Sequence, residues 1–208
     1  MAVTMLPTPA GEARAHVASA RRSRATLVLG HGAGGGVEAA DLVELARVLP
    51  GRGITVVRVE QPWRVAGRRV AGPPATLDRA WTAALAALGL EGPVVAGGRS
   101  AGARVACRTA GEVGASAVVA LAFPLHPPGR PERSRLPELE ACPVPTLVVQ
   151  GERDPFGGPG DFPRRRTYDV HAVPGADHSF RVAGGRDRDA TLEALAATVA
   201  DWVLDRLG

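Results

Sequence analysis

A serine flanked by glycines joins a strand-like segment to a helix-like one, and this turn restricts the fold more than any other stretch. An apolar run at residues 94–97 is typical of a buried strand, Gly98-Arg99-Ser100-Ala101-Gly102 forms the turn, and a helix-compatible run fills residues 101–110. The flanking glycines have a steric role, because a Cβ at either position would collide with neighbouring backbone. The serine is lifted off the sheet in front of a helix N-terminus, which stabilises negative charge. The sequence therefore predicts a nucleophile elbow with Ser100 at its apex.

Strand-like and helix-like segments alternate along the whole chain. Strands are predicted at residues 2–6, 12–17, 25–29, 54–59, 94–97, 117–122, 146–150 and 167–173, and helices at 37–49, from Thr76 or Asp78 to Gly89, at 101–110 and at 190–207. Most of these strands are apolar on both sides, which predicts a mostly parallel sheet with helices on both faces and an N-terminal hairpin at its edge. We expect one α/β domain over residues 1–208, with a minimal cap or none.

The charge of the chain excludes some partners. All 25 basic residues are arginines, and the net charge is only +4. The sequence pI of about 10.3 therefore reflects the very high pKa of arginine rather than a strong field, so nucleic-acid binding is not expected. The local clusters at Arg68-Arg69 and at residues 164–166 are either solvated surface or anion sites.

No segment predicts a membrane span or a secretory signal, so we expect a cytoplasmic protein without membrane contact. Cys107 and Cys142 have no metal-ligand spacing and need no disulfide. We predict neither a metal nor another cofactor.

Reactive groups follow several of the predicted strands, and the carboxyl ends of parallel strands meet at one edge of the sheet. Ser100, Asp154 and His178 occur in the chain order that nucleophile-elbow enzymes use. His178 is the candidate general base, and Asp154 would hold its tautomer, although Asp177 is a competing carboxylate.

The N–H of Ala101 and an N–H of the first glycine-rich loop would stabilise an oxyanion. In that loop Ala33 or Gly34 is the expected donor.

The same loop has a second interpretation. Gly30-x-Gly32-x-x-Gly35 follows a strand and precedes a helix, and Glu60 ends the next strand, which is the pattern of a dinucleotide-binding site. That interpretation leaves Ser100, Asp154 and His178 unexplained. A phosphate-binding P-loop is excluded because no Gly-Lys-Ser/Thr follows.

With these residues in view, the chain resembles small α/β-hydrolases related to dienelactone hydrolase. More narrowly, it resembles the branch that contains testis-expressed protein 30 and a regulatory subunit of the nonspecific-lethal acetyltransferase complex. The resemblance covers most of residues 25–205 and rests on the segments at 30–34, 97–102, 123–129, 149–157 and 175–180. It implies the α/β-hydrolase fold and supports Ser100, Asp154 and His178 as a triad. It implies no particular substrate.

Two functional hypotheses follow. The first is a serine hydrolase that cleaves a small ester or thioester through an acyl-enzyme, with a small-molecule acyl substrate as its partner. Trp63, Arg68 and Arg69 would border the site, the arginines favouring an anionic substrate, and His31 and His126 either orient substrate or pack under the loops. The second is a catalytically silent scaffold that binds a protein partner. The oligomeric state is left open.

Overall fold

A single eight-stranded sheet organises the chain. The computed structural model describes residues 2–182 and 188–206. The strands are β1 (Ala2–Thr8), β2 (Gly11–Ala18), β3 (Ala25–Gly30), β4 (Ile54–Glu60), β5 (Val94–Arg99), β6 (Ala117–Leu121), β7 (Thr146–Gly151) and β8 (Tyr168–Val173). Their spatial order is β1-β2-β4-β3-β5-β6-β7-β8. Only the pairs β1–β2 and β2–β4 are antiparallel, so the predicted mostly parallel sheet with an edge hairpin is confirmed.

Two layers of helices bury the faces of this sheet. The helices are α1 (Ala40–Val48), α2 (Pro62–Val65), α3 (Pro74–Leu88), α4 (Ala101–Thr109), α5 (Leu136–Glu140) and α6 (Arg188–Asp205). α1 and α6 bury one face, whereas α3, α4 and α5 bury the other. Every residue of β3, β6 and β7 is buried, as expected of parallel strands that are covered on both sides.

Helix starts differ from the sequence expectation. α1 begins at Ala40 rather than at Val37, because residues 36–39 form a turn closed by the bond from Ala39 N–H to the Gly36 carbonyl. α3 begins at Pro74, ahead of Thr76 and Asp78, since proline fits the first helical turn, where its missing N–H costs nothing. α6 begins at Arg188, and the predicted end at residue 207 lies outside the described residues.

The order in which strands are added to the sheet reverses at β3. From β3 the chain moves to β4 on one side and then returns to β5 on the other, so a crevice forms at the carboxyl ends of β3 and β5. In the described ranges, the connections at this edge carry only short helices such as α2 and α5 and no cap domain. None of the helices in the described part of the chain is long and apolar enough to cross a membrane.

Candidate active site

Ser100 lies at the carboxyl end of β5, directly before α4. Its backbone is in an unusual conformation for a non-glycine residue, with φ 53° and ψ −112°. The bond from its N–H to the Leu121 carbonyl, at 2.9 Å, ties this turn to the neighbouring strand β6. A strained residue between a rigid strand and a helix persists only where the surroundings hold it, which is typical of functional sites.

The two flanking glycines make this turn possible. A Cβ on Gly98 would lie 2.7 Å from both the Gly30 carbonyl oxygen and the Gly102 carbonyl carbon. A Cβ on Gly102 would collide with the Gly30 backbone in turn. The steric role predicted for Gly98 and Gly102 is therefore confirmed, and the absence of side chains lets β3, β5 and α4 meet at the serine.

A chain of hydrogen bonds runs from this serine into the protein. His178 Nε2 lies 3.1 Å from Ser100 Oγ, and His178 Nδ1 lies 2.7 Å from Asp154 Oδ2. The carboxylate accepts, so Nδ1 carries the proton and Nε2 is free to accept from the serine hydroxyl. Ser100, His178 and Asp154 come from three separate loops at the carboxyl edge, and the structure brings them together as the order of the sequence predicts.

The Asp154 carboxylate is almost fully buried and held on both oxygens. Gln150 Nε2 donates to Oδ2 at 2.9 Å and to the Gly157 carbonyl at 2.7 Å, while the Phe156 N–H donates to Oδ1 at 2.8 Å. Gln150 was not identified from the sequence. The available signal was an amide side chain at the end of β7, a strand that is otherwise mostly apolar.

Asp177, the competing carboxylate, has a different task. Its Oδ1 accepts hydrogen bonds from the backbone N–H groups of Ser179 and Arg181, at 2.8 and 2.9 Å. It therefore shapes the turn that carries His178, and it is Asp154 that contacts the imidazole.

Arg99, the residue before Ser100, supports the loop that carries His178. Its Nη2 donates to the His178 carbonyl at 2.5 Å and to Ser179 Oγ at 3.2 Å. Its Nε lies 3.1 Å from Oδ2 of Asp41, which is 3% exposed and belongs to the first turn of α1. Burial raises the pKa of Asp41, and the Arg99 charge opposes that shift. No sequence pattern paired Arg99 with Asp41.

Phe156 packs on the imidazole of His178. The ring centroids are 4.3 Å apart and the planes are tilted by 35°. Together with the hydrogen bonds to Asp154 and Ser100, this contact fixes the ring orientation.

The first glycine-rich loop lies against Ser100. A Cβ on Gly32 would be 3.4 Å from the Ser100 Cβ, so the loop backbone reaches the serine directly. His31 is buried beneath the loop, where its Nδ1 lies 2.9 Å from the Gly32 carbonyl and its Nε2 accepts the Gln61 N–H at 3.1 Å. Burial lowers the pKa of His31, which keeps the ring neutral. Both ring nitrogens are occupied by backbone groups, so His31 orders the loop and offers no nitrogen to a substrate.

The other predicted substrate-binding residues lie at different places around the site. Trp63 contacts the His31 ring, with centroids 5.4 Å apart, and lines a small cavity next to Ala33 and Ala101. Arg68 and Arg69 are exposed on the connection after α2 and do not line that cavity.

His126 lies next to the loop that follows β7. Its backbone N–H donates to the Phe156 carbonyl, and its Nδ1 lies 3.0 Å from the Pro127 carbonyl. The ring is half-buried, and its Nε2 takes no part in the contact with Pro127.

The dinucleotide interpretation finds little support in the geometry. The Glu60 carboxylate, which would hold a ribose, lies 3.3 Å from Arg14 and 3.8 Å from His16 on β2. Gly32 packs against Ser100 rather than lining an open phosphate cradle. Within residues 2–182 and 188–206, no group of three or more His, Cys, Asp or Glu residues could hold a metal ion.

Comparisons with known proteins agree with this geometry. The model of the alpha/beta hydrolase domain family matches residues 23–204. A comparison with curated proteins finds no match.

Among solved structures, an alpha-beta serine hydrolase homologue from Coxiella burnetii superposes with a TM-score of 0.78 at 15% identity, covering 97% of each chain. An α/β serine hydrolase without a lid from Xanthomonas campestris gives 0.71 at 21% identity, covering 97% of this chain and 94% of that one. A dienelactone hydrolase from Anabaena variabilis gives 0.75 at 17% identity, covering 98% and 96%. The structural matches extend over nearly the whole sheet and its helices. The family model spans Ser100, Asp154 and His178 alike. The chain belongs to the alpha/beta hydrolase domain family.

Proposed function

We propose that the protein is a serine hydrolase that cleaves a small ester or thioester through an acyl-enzyme. The observation that carries the proposal is the continuous hydrogen-bond chain from Ser100 through His178 to Asp154, with the serine at a strained strand-to-helix turn. Serine is a weak nucleophile unless a base removes its proton during attack, and this chain supplies that base. Similarity to hydrolases of known structure gives further support.

In the first half of the reaction Ser100 Oγ attacks the substrate carbonyl carbon while His178 Nε2 takes the hydroxyl proton. The developing oxyanion would be held by the N–H of Ala101 and by an N–H of Ala33 or Gly34. The first N–H groups of a helix such as α4 have no partner within the helix, so the Ala101 N–H is available. Collapse of the intermediate breaks the bond to the leaving group, which receives the proton from His178.

In the second half a water molecule gives a proton to His178 and attacks the acyl-enzyme. The acid product leaves, and the proton returns to Ser100 Oγ. Asp154 stays ionised throughout and stabilises the imidazolium that forms in each half. This scheme needs no cofactor, and its partner is a small-molecule acyl substrate.

Three finer expectations accompany the proposal. The exposed guanidinium groups of Arg68 and Arg69 favour a substrate with a carboxylate or phosphate, and equal turnover of such a substrate by Arg68→Ala and Arg69→Ala variants would remove this expectation. His126, whose backbone N–H donates to the Phe156 carbonyl, would orient the substrate. A cytoplasmic location stays a prediction from the sequence.

The test is steady-state hydrolysis of p-nitrophenyl acetate by purified protein at neutral pH. We expect turnover that is lost in Ser100→Ala and His178→Ala but retained in Ser116→Ala and His171→Ala, whose side chains are exposed. No turnover by a folded wild type would instead favour the silent scaffold suggested by the narrower branch resemblance.

A further inference from the structure

The two cysteines of the chain lie in the same hydrophobic cluster, although 35 positions separate them in the sequence. Cys107 is on α4, and Cys142 follows the end of α5 by two positions. Both are buried free thiols, and the proposed hydrolase reaction uses neither of them. The fold has thus gathered both thiols of the protein on the α4 side of the sheet.

Contacts on either side of the cysteines hold α4 along the segment that follows it in space. Toward the start of the helix, Arg104 Nε donates to Glu138 Oε2 at 2.8 Å. Just beyond the end of the helix, a Cβ on Gly111 would lie 3.3 Å from Cγ of Pro143. Each cysteine lies between these two contacts in its own segment, so the contacts bring the two thiols to the same part of the interface.

The two sulfur atoms share a hydrogen bond. The Cys107 S–H donates to Cys142 Sγ, which also accepts the Thr146 hydroxyl at 3.4 Å. These bonds lower the pKa of Cys142 to about 6, although burial opposes the shift. The same bond and burial raise the pKa of Cys107. At neutral pH, therefore, Cys142 carries the thiolate and Cys107 keeps its proton, which is the division between an attacking and a resolving thiol.

Cys142 lies directly beneath the surface. Its chain neighbours Ala141 and Pro143 are exposed, whereas Cys107 is 1% exposed inside the helix layer. A molecule as small as a peroxide needs little displacement of this segment to reach the Cys142 sulfur. Peroxides oxidise thiolates rather than thiols, so Cys142 is the residue that reacts first.

We propose that Cys107 and Cys142 form a reversible disulfide when hydrogen peroxide oxidises the protein. The Cys142 thiolate attacks one peroxide oxygen and breaks the O–O bond, which gives a sulfenic acid and, with one proton from solvent, water. The Cys107 thiol then forms the S–S bond and displaces the hydroxyl group as a second water molecule. The two sulfur atoms lose two electrons, which the peroxide gains. A dithiol restores both thiols by exchange.

The disulfide would join α4, which begins directly after Ser100, to the segment that leads into β7. A cross-link over this many residues restricts the unfolded chain more than the folded one. The oxidised protein should therefore unfold at a temperature higher by about 5–15 °C than the reduced protein.

The experiment treats the purified full chain with hydrogen peroxide at neutral pH, alkylates the remaining thiols under denaturing conditions and maps the peptides by mass spectrometry without reduction. We expect one linked pair of peptides, containing Cys107 and Cys142, that dithiothreitol separates. Thermal unfolding of the same samples measures the expected shift. Ser100→Ala should form the disulfide as wild type does, because the thiol chemistry does not depend on the proposed hydrolase.

Single variants test which sulfur reacts first. In Cys107→Ser the Cys142 thiolate remains without a resolving thiol, so its sulfenic acid should accumulate and react with dimedone. Cys142→Ser leaves only the protonated Cys107 and should take up no dimedone. Dimedone on Cys107 alone would overturn the assignment of Cys142 as the attacking thiol. A folded wild type that keeps two alkylatable thiols after peroxide, or that is oxidised without a linked peptide, would overturn the disulfide.

Discussion

The Arg99 guanidinium donates a hydrogen bond to the main-chain carbonyl of His178 at 2.5 Å, from the position directly before Ser100. One residue of the turn at Ser100 thus holds the loop that carries His178, the proposed general base. Asp41 anchors the same guanidinium from α1, with Nε and Oδ2 3.1 Å apart. Asp41 holds the Arg99 side chain, and Arg99 in turn holds the His178 loop at a fixed distance from Ser100.

Replacing Arg99 should reduce both kcat and stability. The loss of kcat should be larger than the loss of stability can explain. Arg99→Met releases the His178 loop and leaves Asp41 as an unpaired buried charge, at a cost of about 3–5 kcal/mol in the free energy of unfolding. The double variant Asp41→Leu/Arg99→Met removes that charge and should recover most of the stability but not kcat. Chemical denaturation and steady-state kinetics measure the two effects, with exposed Arg47→Met as the control. Recovery of kcat in the double variant would contradict a positioning role.

Asp154→Asn should lower kcat by about 10⁴-fold with little change in KM. A neutral amide cannot stabilise the imidazolium. Its NH₂ group can also donate to His178 Nδ1, which favours the tautomer protonated at Nε2, and that tautomer cannot accept the Ser100 proton. Asp177→Asn is the matched control, because an amide oxygen still accepts from the N–H groups of Ser179 and Arg181. Stopped-flow or steady-state assays of the two variants compare them directly. An equal loss in both would remove the distinction between the two carboxylates.

Gly98→Ala should destabilise the protein by about 1–3 kcal/mol or more and abolish activity. The new methyl group would lie 2.7 Å from backbone atoms of Gly30 and Gly102, which cannot move without shifting β3 or α4. Gly51→Ala is the control, since a Cβ there meets nothing within 4 Å. Thermal unfolding followed by circular dichroism gives the comparison, and a Gly98→Ala protein as stable as Gly51→Ala would contradict the packing argument.

Acidification should destabilise the protein partly through His31. Burial holds its pKa in the folded state below the ordinary value of 6.5, so below that pH the unfolded chain binds the proton and the folded chain does not. Stability is then lost as pH falls through 6.5, by up to about 1.4 kcal/mol per pH unit.

The measurement is the free energy of unfolding of wild type and His31→Asn between neutral pH and the acid limit of folding. His31→Asn should show a shallower pH dependence, whereas exposed His171→Asn should keep the wild-type slope. His16, whose pKa burial also lowers, contributes equally to all three proteins. Parallel curves for wild type and His31→Asn would contradict the assignment.

The sequence was most informative where chemistry depends on local spacing. Gly98 and Gly102 predicted the turn at Ser100, and the alternation of apolar strands and helices predicted the layers of the fold. The chain order of Ser100, Asp154 and His178 was then sufficient to predict that three distant loops meet, since parallel strands deliver their carboxyl ends to one edge.

The supporting residues required the tertiary structure. Arg99 and Asp41 are 58 positions apart, and their contact depends on how α1 docks beside β5. Gln150 looked like an ordinary strand residue until its amide was seen to reach Asp154. His31 was expected either to orient substrate or to pack under the loop, and only the positions of the Gly32 carbonyl and the Gln61 N–H decide between these.

The most direct test of an activated serine is labelling of purified protein with a fluorophosphonate probe at neutral pH, followed by mass-spectrometric mapping of the modified residue. The triad geometry predicts a single adduct on Ser100 that disappears in Ser100→Ala and His178→Ala and persists in Ser116→Ala. A folded wild type that takes no label, or one labelled equally at Ser116 and Ser100, would contradict the account.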